Sequence, residues 1–132
     1  CIRDRVCAGD TLFVMGCGRI FEGDPDMMWA SLEKLLALPD KTVIYCSHEY
    51  TIANAAFARS VDPDNAALAA RQEAIAELRE NGFPTVPTRL DLEKATNPFL
   101  RVEDAAIRAQ LGMETASNAA VFAEIRKRKD HF

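Results

Sequence analysis

The strand-forming run at residues 42–46, Thr-Val-Ile-Tyr-Cys, constrains the fold more than any other stretch because it is the last of its kind. It ends at Ser47 and delivers His48, one of 2 histidines, just beyond a strand. Rigid backbone holds a histidine there while its ring faces the open edge of a sheet, where α/β proteins place ligands. A packed or capping histidine suits the same position, and His48 alone does not separate the two readings. Beyond residue 50 alanine becomes frequent and strand signals vanish. The expectation is a sheet-plus-helix part, residues 1–50, followed by an all-helical part, residues 51–132.

Upstream, a first strand is expected to end near Ala8. Gly9 permits a tight backbone, which leaves Asp10 beyond that strand as His48 lies beyond its own. Residues 14–23 form a glycine-rich loop (Gly16, Gly18, Gly23) with Arg19 in its middle, without the spacing of a phosphate loop. Asp24-Pro25-Asp26 is a helix start: an N-cap, a proline at the first helical position and an acid near the positive end of the dipole. Met28, Trp29, Leu32, Leu35 and Leu36 then recur at helical spacing, and Pro39 ends the helix. Phe13 and Trp29 are expected in the core.

Further helices are expected to end near Val61 and to run from Asp62-Pro63 to Asn81-Gly82. A short one follows a Thr88/Asp91 capping box, another closes at Gly112, and the last starts at Ser117.

With 132 residues and 48% hydrophobic content, the chain suits one modest domain or two small pieces sharing a core. A net charge of −4 argues against a general nucleic-acid binder. No apolar run reaches membrane-spanning length and no signal peptide is evident, so a soluble cytoplasmic protein without a membrane partner is expected. Cys1, Cys7, Cys17 and Cys46 contain no Cys-x-x-Cys pair and read as reduced thiols, two of them buried in strands. The opening residues 1–8 read as the middle of a sheet. The chain is therefore expected to be the C-terminal part of a larger, monomeric protein, and exposed strand edges could make the fragment self-associate.

The chemistry-bearing residues each admit two uses. Asp10 and His48, beyond strands on one inferred sheet edge, suit metal ligation or general acid–base work, or a structural cap and a packed ring. Arg126 and Lys129, three apart near the end of the last helix, compensate its dipole or clamp a carboxylate or phosphate. Arg19 serves a ligand or lies on the surface. Tyr50 lines a pocket with a hydroxyl handle or packs where the two parts meet.

Longer motifs then align with a known family. Gly9-Asp10-Thr11-Leu12-Phe13, Gly16-Cys17-Gly18-Arg19-Ile20-Phe21-Glu22-Gly23 and Tyr45-Cys46-Ser47-His48-Glu49-Tyr50-Thr51 resemble glyoxalase II, the hydroxyacylglutathione hydrolase of the metallo-β-lactamase fold. Val61-Asp62-Pro63-Asp64-Asn65, Pro84-Thr85-Val86-Pro87, Thr96-Asn97-Pro98-Phe99-Leu100-Arg101 and Arg126-Lys127-Arg128-Lys129-Asp130-His131-Phe132 continue the match.

The resemblance implies an α+β (αββα-type) fold. Residues 1–50 would be the end of a metallo-β-lactamase domain, with few strands and one helix, and residues 51–132 a helical substrate-binding domain. It implies hydrolysis of S-(2-hydroxyacyl)glutathione thioesters such as S-lactoylglutathione, to glutathione and D-lactate, by hydroxide activated at two divalent metal ions (zinc, iron or manganese). Asp10 looks like the bridging carboxylate and His48 like a ligand of one ion. Arg19, Tyr50, Arg126 and Lys129 look like glutathione contacts.

The family's H-x-H-x-D-H motif has no counterpart in this chain, so the metal centre is expected to be incomplete or absent here and the fragment inactive alone. Ser47 stands where glycine is usual, and Phe21 where some members carry a tyrosine. Alternatives are another metallo-β-lactamase-fold hydrolase, a sulfur dioxygenase, or a non-catalytic module that binds glutathione conjugates. The helical tail with Arg126 and Lys129 argues against the first two.

Overall fold

The structure, a computed structural model, describes residues 4–19 and 24–132. Cys1 and residues 20–23 of the glycine-rich loop lie outside the described residues.

Strand β1 (Arg5–Gly9) lies parallel to β4 (Val43–Cys46), pairing Val6 with Ile44 and Cys7 with Tyr45. Between them come two short strands, β2 (Leu12–Phe13) and β3 (Gly16–Cys17), and helix α1 (Pro25–Leu36). A parallel pair requires such a crossover, because a tight turn reverses direction. Helix α1 starts as its sequence dictates, the Asp24 carboxylate accepting the Met27 N–H at 2.9 Å with Pro25 in the first turn. Trp29 and Leu32 are its buried residues.

The glycine-rich stretch is more ordered than a loop. β2 and β3 pair antiparallel as a hairpin whose turn is Val14-Met15, with Met15 at φ 54°. Beyond β4 follow α2 (Thr51–Val61), α3 (Ala66–Glu80), α4 (Leu90–Thr96), α5 (Ala105–Leu111) and α6 (Asn118–Asp130). Residues 51–132 are not wholly helical, however. Thr88–Arg89 forms β5, antiparallel to β4, and completes a sheet of order β1-β4-β5. A strand of 2 residues between Pro87 and a helix carries no alternation by which the sequence could announce it.

Two helix starts differ from expectation. α3 begins at Ala66 with Asn65 as cap, its side chain accepting the Leu68 N–H, whereas the buried Asp62 carboxylate pairs with Arg101. The Thr88/Asp91 capping box does not form: Arg89 occupies the cap position without a side-chain bond, and the Thr88 hydroxyl donates to Glu93. Gly112, in the αL conformation, closes α5 and Ser117 caps α6 as expected, while the Asp104 side chain caps the start of α5.

One core spans the residue-50 boundary. Val6 and Ile44 from the sheet and Leu32 from α1 pack in the same buried cluster as Phe57, Phe99, Phe122 and Ile125 from the helices. Trp29 and Phe122 lie 6.1 Å apart between ring centroids. The sheet therefore borrows its apolar cover from the helical segment. The fold is mixed α and β, with 6 helices and short strands among the described residues.

Of the cysteines, only Cys17 is buried among the described residues; Cys7 on β1 is exposed and Cys46 lies between, all three as free thiols. The expectation of two strand-buried thiols thus fails at β1, where Cys7 points away from the core. Burial pushes the Cys17 thiol from its ordinary 9.0 up to about 12, against the opposing charge and hydrogen bond of Arg126. Among Cys7, Cys17 and Cys46, Cys7 is expected to alkylate with iodoacetamide first and Cys17 last, read by peptide mass mapping of the folded chain. Because the folded state holds the Cys17 proton and the unfolded chain releases it, stability falls as pH climbs from about 9 to about 12.

Candidate functional site

The site begins with backbone. The β1–β4 register slips between Cys7 and Gly9, and Gly9 takes φ +54°, a conformation that disfavours any side chain. The slip sets Gly9 opposite Cys46, and the Ser47 N–H donates to the Gly9 carbonyl at 3.1 Å. Parallel strands thereby end level, and the next side chains emerge together. Asp10 Oδ1 and His48 Nε2 lie 3.3 Å apart, with the two side chains 73% and 48% exposed. Both stay open to a ligand.

Tyr50 stacks on the His48 ring at 5.0 Å between centroids and an interplanar angle of 11°. Phe13 meets both rings edge-on, at 5.9 Å from His48 and 5.5 Å from Tyr50. Although buried as expected, Phe13 also lines the cleft. The four side chains form one wall of a cavity of about 910 Å³. Its other walls come from the hairpin (Cys17, Gly18, Arg19), from α2 (Ala53, Asn54) and from the chain end (Arg126, Lys129, Asp130, Phe132). All six residues that the sequence singled out line this one cavity.

Within it the two cations on α6 differ. Arg126 is 5% exposed and committed: its guanidinium donates to the Cys17 carbonyl at 2.8 Å and to Asp130 Oδ1 at 2.8 and 3.2 Å, and lies 5.3 Å above the Phe99 ring. It ties the last helix to the hairpin. Lys129 has no carboxylate partner among the described residues; its ammonium sits over the rings of Phe57 and Phe132. Burial, with the charges of Arg126 and Arg19, lowers the Lys129 pKa, and Asp130 opposes the shift. Arg19, 67% exposed, stands 4.0 Å from Asp130.

The helical segment also holds the hairpin from behind. Glu93, fully buried on α4, accepts the Met15 N–H at 2.9 Å, the Asn97 amide at 3.0 Å, Arg71 at 2.7 Å and the Thr88 hydroxyl at 2.9 Å. Asn97 donates on to the Gly16 carbonyl at 3.0 Å, and Asn54 to the Val14 carbonyl at 3.1 Å. Close approach explains the glycines: a Cβ on Gly16 would fall 2.5 Å from the Asn54 amide, and one on Gly18 1.9 Å from the Asp10 carbonyl oxygen. Next to His48, burial pushes the Glu49 carboxyl up, but donors from Thr85 and Thr51 and the charge of Arg79 outweigh it and hold the group below its ordinary value.

Reasoning from the sequence missed Glu93, Asn54 and Phe132. A polar residue on a largely apolar helix face was the available signal for Asn54, which lies among Ala55, Ala58 and Val61 on the buried side of α2.

Residues 49–132 match the family described as Hydroxyacylglutathione hydrolase C-terminus. The chain belongs to that family. It is 64% identical over 125 residues to the hydroxyacylglutathione hydrolase of Rhizobium meliloti, covering 95% of this chain and 49% of the relative. The same-named proteins of Ruegeria pomeroyi and Maricaulis maris are 61% and 60% identical over 127 and 124 residues, covering 96% and 94% of this chain and 50% and 48% of theirs. The chain thus spans about half the length of the curated relatives it matches. The family match begins at Glu49, immediately after His48. Within the hydroxyacylglutathione hydrolase family, the glyoxalase II resemblance read from the motifs is therefore borne out.

A carboxylate oxygen and an imidazole nitrogen at 3.3 Å, both accessible, fit one side of a divalent cation. No group of three or more His, Cys, Asp or Glu side chains converges among the described residues. No helix among them is long and apolar enough to cross a membrane.

Proposed function

We propose that this chain supplies the C-terminal half of a hydrolase acting on S-(2-hydroxyacyl)glutathione thioesters such as S-lactoylglutathione. Residues 1–50 complete a metallo-β-lactamase-type domain, and residues 51–132 carry the substrate contacts. The observation that carries the reading is the convergence of Asp10, His48, Tyr50 and Lys129 on one cavity of about 910 Å³. That volume suits a tripeptide-sized ligand.

Asp10 and His48 would hold divalent cations, zinc, iron or manganese, on this side of the centre. Such ions, when bound, lower the pKa of water and polarise the thioester carbonyl. Lys129 and Arg19 supply positive charge for the carboxylates of the glutathione moiety, and Arg126 shapes that wall while holding the hairpin. Tyr50, stacked on His48, supports the ring's plane, and its hydroxyl would serve the ligand backbone. A thiolate departs readily without protonation, so the site needs no strong general acid.

A chimera joining the remaining half of the Rhizobium meliloti relative to this chain tests the reading. Thiol release from S-lactoylglutathione is expected from the chimera, with none above background from the 132-residue chain. An inert, folded chimera beside an active relative would refute it.

A further inference from the structure

We propose that Phe132 is a positioning residue: with Phe57 it holds the Lys129 ammonium at the cleft wall, where a carboxylate of the glutathione moiety is received. The inference rests on the reading of the cleft given above and deepens it at one subsite.

Lys129 Nζ lies 5.4 Å from the Phe57 ring centroid and 5.5 Å from that of Phe132. The rings are 5.5 Å apart and meet edge to face at 72°, so the cation faces two π-systems. Its hydrogen bond among the described residues is a long one, 3.5 Å to the Ala53 carbonyl. Arg126, one turn earlier, already has Asp130 and the hairpin carbonyls. Lys129 is thus a half-buried charge that aromatic faces hold in place and that makes no ion pair with a carboxylate among the described residues.

A free lysine side chain must surrender much of its rotamer freedom to bind an anion. The two rings remove part of that cost beforehand, and they leave the ammonium's donors for the ligand. The rings are not equivalent. Phe57 is 1% exposed and belongs to the core, whereas Phe132 is 66% exposed and lines the cavity. Core packing does not account for Phe132. Its contacts with Lys129 and Phe57 do.

Affinity of the 132-residue chain for S-methylglutathione, measured by calorimetry, tests this. Leucine fills much of the ring's volume without its quadrupole, so Phe132→Leu is expected to weaken binding about three- to tenfold. Phe132→Tyr should stay within about twofold of wild type. Lys129→Met should lose at least as much as Phe132→Leu, and adding Phe132→Leu to it should cost nothing more. Independently of ligand, the Lys129 ε-methylene protons should resonate upfield and move toward the free-lysine value in Phe132→Leu but not in Phe132→Tyr. Unchanged affinity in Phe132→Leu beside a weakened Lys129→Met overturns the inference and spares the reading of the cleft. The same loss from Phe132→Leu in the Lys129→Met background also overturns it, since the ring would then act on the ligand directly. A wild-type chain that does not bind, or a Lys129→Met variant that binds normally, overturns the reading of the cleft and the inference together.

Discussion

Glu93→Ala is expected to destabilise the chain by about 3–5 kcal/mol, a large part of the stability of a domain this size. The carboxylate is fully buried and serves four donors, one of them Arg71, whose side chain is 12% exposed. Truncation leaves a largely buried guanidinium without its counter-charge, and leaves without an acceptor the N–H of Met15, a residue already at φ 54°. Both penalties fall on the folded state alone. Urea unfolding followed by circular dichroism measures the loss, and Glu93→Gln should lie between the two, since an amide keeps the shape and part of the bonding. A shift under about 1 kcal/mol in Glu93→Ala would mean that water or a rearranged Arg71 replaces the carboxylate.

The second large effect concerns Asp10 and His48. In the chimera, Asp10→Ala and His48→Ala are each expected to lower metal content and turnover together. Residues that merely support metal ligands cost 10- to 100-fold when removed, so loss of a direct donor should cost at least about 100-fold. Metal analysis by mass spectrometry beside thiol release separates the outcomes. Full metal content with lost turnover would assign the pair to proton transfer instead, the other use that a carboxylate touching an imidazole can have.

Much of the site was legible because its parts lie at element ends, where residue types carry positional meaning. Gly9 before Asp10 and a strand running into His48 place two side chains beyond one sheet edge, and the β1–β4 pairing sets them 3.3 Å apart. Asp24-Pro25, Gly112 and Ser117 marked helix boundaries for the same reason.

What stayed hidden depends on tertiary partners. β5 has 2 residues and exists because β4 offers an edge. Glu93 sits in a short helix where a solvent-facing acid would be ordinary, and only the fold reveals that Met15, 78 positions away, needs its oxygen. Arg126 and Lys129 look alike in sequence, yet different neighbours give one to the hairpin and leave the other open.

The shared core has a consequence for how ligands are met. His48 sits beyond a strand whose Ile44 packs in the same cluster as Phe57, the residue beneath Lys129. The two sides of the cleft therefore cannot open as a jaw without exposing buried apolar surface, which costs about 25 cal/mol per Å². The entropic cost of bringing these two walls together is therefore met when the chain folds, not when a ligand arrives. Such walls trade adaptability for fit: they hold one shape and do not remodel around what enters between them.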